Sequence, residues 1–271
     1  MLENDVDWDL RIKTQMKQFA QASRLLLQPL RDTKPGSKAQ FLDPTNPAPR
    51  SGDEPTSFDV HDQGLANRTL PPQTSPYGDL DRWDMLWLGH CGARFPYAKD
   101  RNTPLARAVI SDDETVPEKQ HIAVEFGDNQ LLEQYPHHTR VVSRARDNLC
   151  SLGHAFSQQG ARRFLYEMAV RKLTDPTDVS FRQLCQGEGG RALATCLSVQ
   201  PQLFQHHRAR GSRASESDIS SHGDDFNEHG YTENVRWSTK LNIPRLIEGR
   251  TDWIDIYPDG RQGPQWPKDD F

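Results

Sequence analysis

No apolar run in this chain approaches the roughly 20 residues that a membrane-spanning helix needs, so no such span is expected in it. The opening residues, MLENDVDWDL, lack both a basic flank and a hydrophobic signal core, so nothing in the sequence as given directs the chain into the secretory pathway. Apolar residues are sparse as well, 34% of the 271 positions, which is low for a fully packed globule; part of the chain is expected to be solvated. Positive charge is not in excess: a net charge of −5 gives the surface as a whole no electrostatic reason to hold nucleic acid or an anionic membrane. The cysteines, Cys91, Cys150, Cys185 and Cys196, have no C-x-x-C spacing. That argues against a zinc site and leaves three disulfide pairings open.

What the chain does have begins at its first turn. Asp5, Asp7 and Asp9 alternate with Val6 and Trp8. On an extended segment the three carboxylates would project to one side, a crowding of like charge that calls for a cation or for water. A helix-loop-helix calcium loop is ruled out, because Leu10 stands where it needs glycine and Met16 where it needs the bidentate glutamate. Two readings stay open. Asp5 and Asp7 could hold Mg²⁺ or Mn²⁺ against a diphosphate, or the segment could be a solvated turn with Asp7 or Asp9 capping the next helix.

Ile12, Met16, Phe19, Ser23 and Leu26 fall at helical spacing up to Pro29, predicting an amphipathic helix over residues 10–28. From Asp32 to Asp81 the chain is rich in Pro, Gly, Ser and Asp without any period, and reads as a long mobile insertion. It contains a glycosylation sequon, Asn67-Arg68-Thr69. Trp83–Gly89 reads as a buried strand that delivers His90 and Cys91 to its carboxyl end, the edge where open α/β sheets bind ligands. HIAVEF and TRVVS are further strand candidates. Ser157 is a candidate N-cap for a helix whose apolar stripe is Ala161, Phe164, Leu165, Met168 and Ala169, with Gly160 allowing close packing. The glycines at 187, 189 and 190 lack phosphate-loop spacing and read as a turn. CLSVQPQLFQHH reads as an extended segment that presents His206 and His207 to a basic loop containing Arg208, Arg210 and Arg213. The tail from Glu248 on, with Trp253, Tyr257 and Trp266 among prolines and charges, is expected to be partly loose.

Taken in order, YGDLDRWDMLWLGHCG, GHAFSQQGARRFLYEM, DPTDVSFRQLC and CLSVQPQLFQHHR resemble the fungal branch of glycosyltransferase family 25, from Glu3 to about Leu241. That family also holds bacterial lipooligosaccharide sugar transferases and, more distantly, collagen galactosyltransferases. The resemblance implies an α/β, GT-A-like fold with a Rossmann-like sheet: a partial transferase domain over 1–247, interrupted at about 32–81, then a loose tail over 248–271. It matches the family's acidic E-D-D-like element to Glu3-Asn4-Asp5-Val6-Asp7, so that Asp5 and Asp7 would be the ligands of Mn²⁺ or Mg²⁺; Asn4 stands where the family usually has Asp.

By the same resemblance His207, or His206, would be the third ligand, and Arg208 and Arg210 would meet the diphosphate. His90 would touch the donor or satisfy a buried hydrogen bond, and Asp178 would be the general base or the cap of the helix that follows. The implied activity is transfer of a hexose, possibly galactose, from a nucleoside-diphosphate sugar to a hydroxyl of a glycan or glycoprotein, with inversion. The strand that precedes the acidic element in the family, and the upstream half that holds base and ribose, are not in the sequence. Met1 is therefore expected to be an internal start, with the membrane anchor and the Golgi or ER lumen placement of full-length relatives lying outside it. The competing reading is a catalytically inactive remnant or interaction module.

Overall fold

The computed structural model describes residues 1–33, 36–97, 99–124, 126–172, 175–215 and 225–267. A nine-stranded sheet runs through it. Its strands are β1 (Val6–Trp8), β2 (Ser57–Asp59), β3 (Met85–Gly89), β4 (Arg107–Ile110), β5 (Arg140–Arg144), β6 (Gly153–Phe156), β7 (Cys196–Gln200), β8 (Phe204–Arg208) and β9 (Tyr231–Thr232). The spatial order is β1-β8-β3-β7-β5-β4-β2, with β6 beside β3 and β9 beside β8. The centre, β8-β3-β7, is parallel; β5 runs antiparallel to both its neighbours, and β1 antiparallel to β8. The protein is thus mixed α/β, with its central strands parallel.

All five residues of β3 are buried, as a strand covered on both faces requires. The alternation of side chains sorts them into two cores. Leu86 and Leu88 pack under helix α1 (Ile12–Leu27), with its Phe19, Ala22, Leu25 and Leu26. Met85 and Trp87 meet Phe164 of α2 (Gln158–Leu165) and Phe181 and Leu184 of α3 (Thr177–Gln186) on the other face. Helix α1 stops at Leu27, just before Pro29, as its spacing predicts. Ser157 caps α2 by accepting from the Gly160 N–H at 3.1 Å. A Cβ at Gly160 would sit 2.0 Å from the Asp84 carbonyl oxygen, which explains the glycine there.

Three sequence expectations change. The segment 32–81 is not a mobile excursion in its described residues: Ser57–Asp59 pairs with β4 as an edge strand, and Phe58 and Val60 join the main core. Polar side chains tie it down where apolar ones are few. Asp43 accepts from Thr45 N at 2.8 Å and Ala106 N at 3.1 Å, and Arg24 of α1 donates to the carbonyls of Ala66 at 2.7 Å and Thr69 at 3.1 Å. Lys34 and Pro35 lie outside the described residues. HIAVEF (121–126) forms no strand among its described residues, only His121 of it joining the 3₁₀ turn Lys119–His121, whereas TRVVS does supply β5. The tail packs, with Ile254, Ile256 and Tyr257 buried against Tyr231 and Leu241 of α4 (Thr239–Ile247); residues 268–271 lie outside the description.

Of the three possible pairings, the cysteines form Cys91–Cys150 and Cys185–Cys196. The first ties the end of β3 to the loop that enters β6. No described helix is long and apolar enough to cross a membrane.

Candidate functional site

The acidic opening lies along the β1–β8 edge, where Val6 is paired with His206 and the His207 N–H donates to the Asp5 carbonyl at 2.8 Å. This register sends the three aspartates into different surroundings. Asp7 is fully buried, and its carboxylate accepts from the Thr232 hydroxyl at 2.8 Å, from the Lys240 N–H at 3.0 Å and from the Ser238 hydroxyl. Ser238 is the N-cap of α4. Asp7 therefore joins β1, β9 and the start of α4, and its oxygens are committed to those donors. Asp9, 1% exposed, accepts from Arg11 N at 2.8 Å and Trp237 N at 3.3 Å. Burial pushes its carboxyl up to about 6, against the pull of those main-chain donors.

Asp5 alone stays open, its side chain 32% exposed. Its Oδ2 lies 3.7 Å from His206 Nε2, and Glu3 Oε2 lies 3.8 Å from the same nitrogen. One ligand atom from each of Glu3, Asp5 and His206 fits within 4.8 Å of the others. Arg208 Nη1 stands 4.0 Å from Asp5 Oδ2. Glu3 is placed by the loop that the Cys91–Cys150 disulfide anchors: its N–H donates to the Leu152 carbonyl at 3.0 Å, and the Ser151 hydroxyl donates to its Oε1 at 3.0 Å.

The residues brought together are thus not the expected set of Asp5, Asp7 and His207. Asp7 cannot turn to an ion without abandoning buried donors, and His207 is engaged elsewhere. His207 Nδ1 is 2.9 Å from the Thr232 hydroxyl, which itself donates to Asp7, so the imidazole must be the donor in that contact. Burial pushes its pKa down, opposed by the Asp7 charge 3.8 Å away. A neutral ring bearing its proton on Nδ1 is the result. His206, the alternate in the sequence reading, takes the position beside Asp5. In the sequence Glu3 is part of the acidic element; its spacing from Asp5, the same as that of Asp5 from Asp7, is the signal that places it beside Asp5.

The remaining predicted residues lie apart from this group. His90 is buried, with Nε2 donating to the Val199 carbonyl at 2.9 Å and Nδ1 without a partner among the described residues. Burial lowers its pKa to about 4, so it is neutral. Through Nε2 it satisfies one buried hydrogen bond. Asp178, in the first turn of α3, accepts from Val179 N at 2.8 Å and Cys150 N at 2.9 Å, so it holds the same loop that places Glu3. Arg210 is exposed beyond the end of β8.

Two carboxylates and an imidazole on one partly exposed rim fit a divalent cation of the Mn²⁺ or Mg²⁺ kind, with oxygen ligands predominating. The guanidinium beside them suits a phosphate oxygen. Next to this edge, β9 pairs Tyr231 with Arg208 and turns into a cleft of about 590 Å³. Its wall carries His229 stacked on Trp266 at 4.9 Å, together with Tyr231, Tyr257 and Glu228. No family model, curated protein or solved structure matches this chain significantly.

Proposed function

We propose that the protein is a glycosyltransferase that uses a divalent metal, Mn²⁺ or Mg²⁺, and a nucleoside-diphosphate sugar, and that it moves a hexose such as galactose to a hydroxyl of a glycan or glycoprotein. The observation that carries this reading is the meeting of Glu3, Asp5 and His206, with Arg208 beside them, on the edge of an α/β sheet. Those three residues would hold the ion, which supplies positive charge against the leaving diphosphate. Arg208 adds a guanidinium that can bind a phosphate oxygen. Ser151 fixes the orientation of the Glu3 carboxylate, and Asp178 and the Cys91–Cys150 disulfide fix the loop that carries Ser151.

In the transfer, the acceptor oxygen bonds to the anomeric carbon as the bond from that carbon to the diphosphate oxygen breaks, and the hydroxyl proton passes to a base. The aromatic cleft beside β9 supplies flat apolar faces and a rim of polar groups, which suit a sugar chain. Calorimetric titration with uridine diphosphate in Mn²⁺ tests the reading. Binding in the parent and its loss in Asp5→Asn is the expected result. A folded protein that binds no nucleoside diphosphate in Mn²⁺ would contradict it and favour the interaction module.

A further inference from the structure

Far along the chain from the first cluster, three segments converge on a second one. Glu118 lies just before the 3₁₀ turn Lys119–His121, His138 just before β5, and Asp259 in the C-terminal tail. One ligand atom from each falls within 4.8 Å of the other two. His138 Nε2 and Asp259 Oδ1 are 3.6 Å apart. Two ligands bound at about 2.1 Å in a tetrahedral zinc site stand about 3.4 Å from each other.

Proton placement decides what the cluster wants. His138 Nδ1 lies 2.7 Å from the Val116 carbonyl oxygen. A carbonyl only accepts, so Nδ1 is taken as donor and Nε2 is the nitrogen that faces the carboxylates. Nε2 and the carboxylate oxygens then converge on one point, a donor set that a divalent cation can use. Each group also has an outer partner of the kind that orients metal ligands. His138 has the Val116 carbonyl; Glu118 Oε2 accepts from Gly260 N at 2.7 Å and Gln120 Nε2 at 2.8 Å; Asp259 Oδ1 lies 2.9 Å from Arg236 Nη1. The other charges packed there are Asp255, which shares Arg236, and Lys119, whose N–H donates to His137 Nδ1 at 3.1 Å.

We infer that Glu118, His138 and Asp259 form a binding site for a divalent transition-metal ion of the zinc type, and that the ion clamps the C-terminal tail onto the body of the protein. The tail it would hold is the one that walls the aromatic cleft. Gln120 Nε2 donates to the Arg261 carbonyl at 3.1 Å, and Gln262, Pro264 and Trp266 line the cleft just beyond. Ligands drawn from three separate segments make the ion a cross-link. Its binding would order the wall as well as the ligands.

Zinc titration of the full chain tests this, in an Asp5→Asn background that removes the cluster at the β1–β8 edge. The expected result is one Zn²⁺ bound per chain, with affinity reduced by about 10-fold or more in His138→Gln and in Asp259→Asn, the range typical when a metal site is disturbed. Zn²⁺ should also slow tryptic cleavage after Arg261 in the background protein and leave both variants unprotected. If His138→Gln fails to fold by circular dichroism, Asp259→Asn carries the test, since that side chain is 52% exposed. No Zn²⁺ binding in the background protein, or unchanged affinity in a folded Asp259→Asn variant, would overturn the inference.

Discussion

Asp5 and Asp7 stand two residues apart, yet removing their charges should have opposite consequences. Asp7→Asn replaces an acceptor of three hydrogen bonds, two of them buried, with a group that must also place its own N–H donors, and should cost about 2–4 kcal/mol in urea unfolding. Asp5→Asn removes a partly exposed carboxylate and should shift stability by less than about 0.5 kcal/mol, while abolishing Mn²⁺-dependent binding. Asp9 makes a third case, readable by pH. Its carboxyl is raised to about 6 in the folded chain. Between its ordinary value near 4 and that raised value, the folded state binds the proton more tightly than the unfolded one. Stability is then lost as pH rises through that window, by up to about 3 kcal/mol, and stays lost above it. Asp9→Asn lacks this dependence. Urea unfolding at pH 4 and pH 7 should show the parent losing ground to the variant as pH rises, and a constant difference would contradict the assignment. None of this division was legible in the alternation of D-x-D-x-D, because it depends on Thr232 and Ser238, which lie more than two hundred residues away in sequence.

At the level of elements, local pattern and outcome agree best where one residue has one local task. Pro29 ends α1 and Ser157 starts α2 by chemistry contained within a few residues. Gly160 is legible in part: a glycine in the first turn signals close approach, but only the fold identifies the Asp84 carbonyl as what it approaches. Gly160→Ala should cost about 1–3 kcal/mol by displacing α2 from the start of β3, measurable by thermal unfolding. The long Pro- and Gly-rich segment misled because its order comes from Asp43, Thr45 and Thr69, polar residues whose buried hydrogen bonds leave no periodic trace. The Cys91–Cys150 disulfide links two tasks. A Cys91→Ser/Cys150→Ser double variant should lose about 2–4 kcal/mol of stability, since the bridge closes a long loop. It should also bind Mn²⁺ more weakly, because the freed loop is the one that places Ser151 on Glu3.

Across the whole molecule, the parallel strands β8, β3 and β7 form the centre, and the proposed site lies at the edge where β1 joins β8 and β9 leads into the aromatic cleft. The acidic opening and the histidine pair, singled out in the sequence, do lie side by side. Which of them meet is not legible in the sequence, because strand register decides which of two adjacent residues faces the more open side and which the interior. The proposed site depends on that register. Electron paramagnetic resonance titration with Mn²⁺ measures it most directly, comparing the parent with Glu3→Gln, Asp5→Asn, His206→Gln and His207→Gln. Affinity should fall by about 10-fold or more in the first three variants and hold in His207→Gln. Binding that survives Asp5→Asn and His206→Gln but disappears in a folded His207→Gln variant would contradict it.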